Sequence, residues 1–267
     1  MTTATIVRAC LRDGRGGSPT AVLDDGPFDD AERRAVPPRA GTSHAVYLGE
    51  GPHLRFFTAT GELPACGHGT VAALAVLAAR APHGRVALTL RAGPRAFHGR
   101  AERNGDEYEA WFDPGPVTLR APRPAEAAPI LAALGLTAAG LADRPCVGGV
   151  GRERLLVPVP GRAALAALAP DLAALREACD DAGMLGCYVY SAPDARGRAA
   201  ARMFAPSIGV PEDIANANST ACLAARLAGD GIDAVSVDMG DALGEPATIR
   251  ASVRGGAVEV GGAARPA

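Results

Sequence analysis

The sequence predicts an α+β protein made of two similar lobes, each built around one buried helix. Residues 71–79 are apolar on every face, which favours a helix with no solvent-exposed side. A second apolar segment, 221–228, ends at Gly229, a residue that typically stops a helix. Strand-like segments alternate with the helices, yet hairpin-type neighbours are frequent. This mixture favours an α+β arrangement over a doubly wound parallel sheet.

The segments that precede the two buried helices are similar in sequence. Arg55-Phe56-Phe57 leads to an acidic residue and the first helix, and Arg202-Met203-Phe204 leads to Glu212-Asp213 and the second. An internal repeat of this size indicates two copies of one structural unit. The alternative is that two alanine-rich helices resemble each other by composition, which leaves the matching approach segments unexplained.

The first half is predicted to begin with strands and one short helix whose start is acidic. The strands are placed at 5–11, 20–23, 43–48 and 54–58, and the helix at 28–35. Beyond the buried helix, 85–90 and 107–112 are predicted to pair as antiparallel strands around the turn Asn104-Gly105-Asp106. Prolines at 114, 116, 122 and 124 then interrupt the pattern, so the lobe boundary is placed there.

The two lobes are therefore predicted as residues 1–118, with the central helix after Cys66, and 119–267, with the central helix after Asn216. The last strand is allowed to return to the first lobe. Gly148-Gly149-Val150-Gly151 is interpreted as a turn. The other second-half predictions are helices at 125–134 and 163–179, and strands at 155–159, 187–191, 200–204, 232–239, 247–253 and 257–261.

Composition excludes several classes of protein. The formal net charge of −2 gives no basic surface for nucleic acid, and the longest apolar segments are too short to span a membrane. Residues 1–11 alternate rather than form an apolar block, which argues against a signal peptide. The six cysteines show no CxxC spacing, so we expect free thiols in a reducing cytoplasm.

The chain contains no lysine, since every basic residue is arginine. This removes the Schiff-base lysine of pyridoxal phosphate enzymes and the lysine of a phosphate-binding loop. No glycine motif for a dinucleotide follows a convincing strand, and the cysteines and histidines are scattered rather than clustered. We therefore expect no cofactor and no metal.

The starts of the two buried helices predict a small-molecule site. The first N–H groups of a helix are unpaired and carry about half a positive charge, which binds a carboxylate or another anion. Cys66 and His68 are presented at such a place. The further candidate contacts at the two helix starts are Gly67, Gly69, Thr70, Asn216, Ala217, Asn218 and Ser219, and Ser18 and Ser43 are candidate substrate contacts elsewhere in the first half.

These motifs resemble the PhzF-like family of phenazine biosynthesis, whose fold is that of diaminopimelate epimerase. Residues 55–70, ending in Cys66-Gly67-His68-Gly69-Thr70, resemble the family segment that ends in CGHAT. Residues 204–215 resemble its FAP…EDPA segment, 17–19 its GNP turn with Ser18 at the centre, and 258–262 its closing V-x-V-G-G. The resemblance spans nearly the whole chain in the same order.

The resemblance implies two lobes, each a rolled sheet or barrel around a central helix, with the active site in the cleft between them. It also implies proton movement at carbon, without a cofactor, in a small carboxylic or amino acid, and a homodimer. The family's acid/base glutamate lies in a segment that reads SET. Here the segment is Ser43-His44-Ala45, so His44 stands where the glutamate would be.

Two further segments depart from the family. The anion-binding turn ATGSA is replaced by residues 215–219, and Glu245 stands where the family has a cation. Substrate recognition must therefore differ from that of the phenazine enzyme.

His44, His68 and Asp213 are the predicted catalytic residues. The ordinary pKa of histidine, about 6.5, suits His44 as the acid/base; the alternatives are lost activity or a mere hydrogen bond to substrate. The helix dipole is expected to lower the pKa of His68, so that the ring is neutral and hydrogen-bonds to substrate. The alternative is that His68 is only a structural cap of the helix. Asp213 is expected to orient substrate or to relay a proton. The alternative is that it caps the second helix.

Cys66 is either a reactive thiol or a packed residue. Epimerases of this fold use two facing cysteines, and here Asn216 lies near the matching position while Cys222 is more than a turn inside its helix. A proton shift by one base is favoured over two-base racemisation.

The leading hypothesis is a cofactor-independent isomerase that moves a double bond in a small unsaturated amino acid or cyclic imino acid in secondary metabolism. One branch of the family acts on dihydropyrrole carboxylates that become alkyl-proline units of lincosamide, hormaomycin and pyrrolobenzodiazepine antibiotics, and the exchange of the family glutamate is compatible with it. The alternatives are a catalytically idle protein that binds a carboxylate or a partner, and an amino-acid racemase or epimerase.

Overall fold

The computed structural model describes residues 4–267. Residues 1–3, which begin the predicted first lobe and the segment considered for a signal peptide, lie outside the described residues. The helices are α1 (Asp30–Ala40), α2 (Gly67–Arg80), α3 (Pro124–Ala133), α4 (Arg162–Ala166), α5 (Leu172–Asp181) and α6 (Ala217–Ala228).

The strands form a mixed sheet that continues through both halves. In the first half they are β1 (Thr5–Leu11), β2 (Ser18–Asp24), β3 (His44–Leu48), β4 (Leu54–Phe57), β5 (Glu62–Leu63), β6 (Arg85–Ala92), β7 (Arg95–Asn104) and β8 (Glu107–Phe112). In the second half they are β9 (Thr118–Arg120), β10 (Cys146–Val150), β11 (Arg152–Val159), β12 (Cys187–Ser191), β13 (Arg198–Ala205), β14 (Val210–Asp213), β15 (Ala234–Met239), β16 (Ala247–Arg254) and β17 (Ala257–Pro266).

Each central helix is wrapped by strands of its own half and by β17. Helix α2 packs against β1, β2, β3, β6, β7, β8 and β17, and nearly all of its residues are buried. Helix α6 packs against β9, β10, β11, β15, β16 and β17. A helix that is apolar all round is stable in water only if it is enclosed on every side, and the curved strands provide that enclosure. The two buried helices predicted from the sequence are therefore observed.

The remaining helices lie on the outside of the sheet. In the second half α3 packs against α5, and both cover a second apolar core that includes Ile130, Leu175 and Val189. In the first half α1 covers a small core around Tyr47 and Phe57. These helices are amphipathic coverings, and they contribute no residue to the cleft described below.

The last strand joins the two halves. Strand β17 pairs with β16 of the second half, and it also pairs with β1 and β8 of the first, for example Ala264 with Ala9 and Val260 with Phe112. The predicted boundary between residues 118 and 119 falls inside β9, which pairs with β10. The boundary itself stays a prediction.

Several sequence-based assignments are wrong in detail. Strand β7 lies between β6 and β8 and pairs with both, so 85–90 and 107–112 are not partners, because the turn at Gly105 closes the β7–β8 hairpin. The segment expected as a turn at 148–151 is largely strand β10. The helix expected over 163–179 is two helices, α4 and α5, with Pro170 in the break, where a residue without an N–H and with a fixed φ interrupts the hydrogen-bond ladder.

Within residues 4–267, no helix combines the length and the apolar character that crossing a lipid bilayer requires.

Candidate active site

The N-termini of the two central helices meet. At Gly67, the first residue of α2, an added Cβ would lie 2.6 Å from the Cβ of Ala217, the first residue of α6, and 3.2 Å from the backbone nitrogen of Asn218. A side chain at residue 67 would therefore clash with α6, and the two helix starts come this close only because residue 67 is glycine. The free N–H groups of both helices therefore point toward one place, which concentrates positive potential between the lobes.

His44 lies at this meeting point, on the first residue of β3. Its ring centroid is 4.4 Å from that of His68, with the ring planes at 80°. The Nδ1 of His44 is 2.8 Å from the hydroxyl oxygen of Ser43, and the side chain is 3% exposed. Burial, with the neighbouring His68 as the smaller cause, lowers the pKa of His44 well below its ordinary value. His44 is therefore neutral at pH 7.

His68 is held by the opposite lobe. Its Nδ1 is 2.8 Å from the carbonyl oxygen of Ala215, and since a carbonyl only accepts, Nδ1 carries the hydrogen. Its Nε2 is 3.5 Å from the Sγ of Cys66. Burial opposes the charged form, but the charges of Cys66 and Asp213 and the hydrogen bonds with Cys66 and Ala215 outweigh it and raise the pKa of His68 to about 10.

The expected lowering of the His68 pKa by the helix dipole is therefore wrong. The Oδ1 of Asp213 lies 3.9 Å from His68 Nδ1. In this buried site the charge of Cys66, which is the larger cause, and the charge of Asp213 outweigh the half charge of a helix end. His68 is an imidazolium at pH 7, and the neighbouring His44 is a neutral imidazole.

Asp213 does not cap α6. The cap is Asn216, whose Oδ1 accepts a hydrogen bond of 2.9 Å from the backbone nitrogen of Ser219. Asp213 is 7% exposed and accepts a bond of 3.0 Å from the Nδ2 of Asn216. The cap, the carboxylate and His68 thus form one hydrogen-bonded and charged network across the two lobes.

A cavity of about 300 Å³ opens beside this network. Most of its wall is apolar, with prolines at 64, 94, 114 and 116, and three arginines, Arg95, Arg152 and Arg154, also line it. The sequence-predicted residues that line the cavity are His44, Cys66, Gly67, His68, Asp213, Asn216 and Asn218.

The other predicted residues lie around the cavity rather than on its wall. The Thr70 hydroxyl donates to the carbonyl oxygen of Cys66 at 2.8 Å, and the Ser219 hydroxyl is 3.5 Å from the sulfur of Met203. Ser43 contacts the ring of His44. Gly69, Ala217 and Ser18 are buried in the packing beneath the site, and the Ser18 hydroxyl has no hydrogen-bond partner in the described part of the chain.

The three arginines of the cavity wall were missed by sequence reasoning. The sequence does not distinguish them from the other arginines, because arginine supplies every basic charge of this chain. Arg154 is the exception that a closer analysis of the pattern would find, since it directly precedes the apolar run 155–159 on β11.

The model of the family described as phenazine biosynthesis-like protein matches residues 12–266. This chain belongs to the PhzC–PhzF family. An uncharacterized isomerase from Salmonella typhimurium is 28% identical over 90% of this chain and 85% of its own. The trans-2,3-dihydro-3-hydroxyanthranilate isomerase of Pseudomonas fluorescens is 30% identical over 91% of this chain and 87% of its own. The chain is an isomerase of the PhzC–PhzF family.

Solved structures confirm the predicted fold class. A predicted epimerase from Pseudomonas aeruginosa superposes with a TM-score of 0.85 at 26% identity, over 100% of this chain and 97% of that one. A probable proline racemase from Agrobacterium radiobacter superposes with a TM-score of 0.61 at 11% identity, over 100% of this chain and 91% of that one. The architecture is thus shared between PhzF proteins and proline racemase or diaminopimelate epimerase-like proteins.

The two helix starts of this PhzC–PhzF chain carry different caps. Cys66 is the N-cap residue of α2, and Asn216 occupies the same position on α6. Cys222 lies six residues beyond Asn216, which is about 9 Å along the helix. No second thiol is therefore placed opposite Cys66 at the α6 start, and the two-cysteine arrangement of an epimerase is not formed at the helix ends.

The cluster at the cleft is also a possible metal-binding set. One ligand atom each from His44, Cys66 and His68 lies within 4.8 Å of the others. Nitrogen and sulfur donors suit zinc. Sequence spacing did not predict this cluster, because His44 and His68 come together only in the fold; the expectation of no metal stays a prediction.

Proposed function

We propose that this chain catalyses a cofactor-independent 1,3-proton shift, which moves a double bond in a small unsaturated amino acid or cyclic imino acid of the dihydropyrrole carboxylate type, in a secondary-metabolite pathway. The proposal is carried by one observation. A neutral imidazole, His44, lies edge-on at 4.4 Å to a second imidazole, His68, at the converging ends of two helices. The names of the related isomerases support the reaction class.

His44 is the proton carrier. Its neutral ring takes the proton from the substrate carbon, and the electron pair of that C–H bond shifts into the conjugated system. The resulting His44 imidazolium faces the charge of His68, so it is a strong acid in this environment. It returns the proton to the carbon at the other end of the shifted double bond, and the ring is neutral again. One base thus serves both steps on one face of the substrate.

The helix ends hold the carboxylate of the substrate. The backbone N–H groups at the starts of α2 and α6 converge at Gly67 and Asn218, and both residues line the cavity. These donors are fixed before substrate arrives, so they stabilise the negative charge that spreads toward the carboxylate when the C–H bond breaks. The apolar remainder of the wall keeps water from the exchanging proton.

The test follows the movement of the double bond and the uptake of deuterium from the solvent. A dihydropyrrole carboxylate, and separately trans-2,3-dihydro-3-hydroxyanthranilate, are incubated with the protein in deuterated water and followed by NMR. We expect a shifted double bond in the first compound, with His44→Ala slowing it by a factor of about 10²–10⁴. His83→Ala is the matched control, because His83 is exposed on the turn after α2.

Turnover that is unchanged in His44→Ala would remove His44 from the mechanism. Inversion at a stereocentre without double-bond movement would support racemase chemistry instead. Tight binding of a carboxylate with no double-bond movement in either compound would support the idle binding protein.

A further inference from the structure

Arg154 is a buried cation without a counter-ion. It lies on β11 opposite Gly148 of β10, is 1% exposed, and forms part of the cavity wall. Its Nη1 is 3.2 Å from the Sγ of Cys222, and its Nε has no hydrogen-bond partner. Within residues 4–267, no carboxylate forms an ion pair with this guanidinium.

A buried charge without a counter-ion is costly, because the guanidinium loses its hydration and gains in exchange only a weak hydrogen bond to the sulfur of Cys222. The Cys222 thiol does not replace the missing anion, since burial raises its pKa despite the opposing effect of Arg154. A residue of this kind reduces folding stability, so its presence is explained best by a ligand that supplies the negative charge.

Arg154 lies away from the helix ends. Its contact, Cys222, is six residues after the α6 cap Asn216, which corresponds to about 9 Å along the helix axis. Both Arg154 and the helix ends nevertheless line the same cavity. The cavity therefore has two separate places for an anion, one beside the histidines and one at Arg154.

The other charged residues of the cavity wall also favour an anionic ligand. Arg95 donates to the backbone oxygen of Asp113 at 2.8 Å, and Arg152 also lines the cavity. The one acidic residue on the wall is Asp213, which is already engaged with Asn216 and lies near His68. The ligand thus meets a surplus of positive charge and a mostly apolar wall.

We propose that Arg154 binds a second carboxylate of the substrate, so that the molecule turned over is a dicarboxylate with an apolar body between its two acid groups. The inference rests on the proposed function, because the first carboxylate is the one held at the helix ends. A charge-assisted hydrogen bond to a buried arginine discriminates strongly against a methyl group in the same place.

The first test needs no variant. Binding of two matched pairs of probes is measured by calorimetry: terephthalate against 4-methylbenzoate, and pimelate against heptanoate. Each pair differs by one carboxylate replaced with a methyl group. We expect at least one diacid to bind about tenfold or more tightly than its partner. Equal affinities within both pairs overturn the proposal.

The second test uses Arg154→Met, with Arg254→Met as the control, since Arg254 is an exposed arginine on β16. In Arg154→Met the two members of each pair are expected to bind equally, and the melting temperature is expected to stay or rise, since a buried unpaired charge is removed. A retained diacid preference in the folded variant contradicts a binding role. If this variant does not fold, the wild-type comparison decides alone.

The readout separates this inference from the proposed function. A protein that prefers the diacids yet exchanges no proton supports Arg154 as an anion-binding residue and contradicts the isomerase mechanism. A protein that exchanges protons yet binds both members of each pair equally contradicts the role of Arg154 alone.

Discussion

Gly67 and Ala217 approach each other closely across the two lobes, and a Cβ at Gly67 would lie 2.6 Å from the Cβ of Ala217. This approach fixes the separation of the two helix ends. The helix-end groups of the proposed mechanism depend on it, because Cys66 and His68 flank Gly67, and Asn216 and Asn218 flank Ala217.

Gly67→Ala should therefore separate the two helix ends. The added methyl group must displace the backbone of α6, for which we expect a loss of about 1–3 kcal/mol in the free energy of unfolding. Turnover should fall by more than this destabilisation explains, since misplaced helix donors no longer meet the carboxylate. Urea unfolding and isotope exchange measure the two effects. Gly61→Ala is the control, because an added Cβ there meets no atom within 4 Å; equal effects in both variants would contradict this account.

The stability of the protein should be greatest near pH 6.5 and should fall on both sides of it. The folded-state pKa of His44 is lowered, so the unfolded chain binds more protons and stability falls as pH drops below about 6.5. The folded-state pKa of His68 is raised to about 10, so its contribution is complete below pH 6.5 and is lost as pH rises through 10.

Melting temperatures across pH 5–11 measure this profile. His44→Ala should reduce the acid-side loss and leave the alkaline limb in place. An acid limb that is identical in His44→Ala would show that other groups cause it.

Asp213→Asn should shift the alkaline limb to lower pH. The carboxylate is one of the charges that hold the pKa of His68 high, and an amide of the same shape removes that charge. The His68 ring titration, followed by NMR, should move down by at least about one unit. Asp233→Asn is the control, since Asp233 is exposed and distant from the network; an unmoved His68 titration in Asp213→Asn would refute the assignment.

Chelators should leave isomerisation unchanged. His44, Cys66 and His68 offer a suitable donor set, but a metal on the remaining ring nitrogen of His44 would take the lone pair that accepts the substrate proton. The proton transfer described above needs these rings free. Activity after dialysis against EDTA, together with metal analysis of the purified protein, gives the answer. Loss of activity that returns on addition of zinc would contradict cofactor-independent catalysis.

Much of the fold was accessible from the sequence because it is encoded locally. The apolar character of 71–79 and the Gly229 stop predict buried helices whatever surrounds them. Strand β7 was missed because its alternation is carried by small and charged residues, such as Gly99 and Arg100, and its pairing with both β6 and β8 depends on residues far along the chain.

By itself, the sequence determined the two helix starts, their neighbouring histidines and the family to which these motifs point. Only the tertiary structure decided the charge state of the site. The partner of His68 at Ala215 is 147 residues away, and the pKa of His68 is raised by the nearby Cys66 and then by Asp213, which comes from the other half of the chain. The isolation of Arg154 was likewise decided by packing, because electrostatic free energy depends on separations in space and on burial, and neither quantity is written in the order of neighbouring residues.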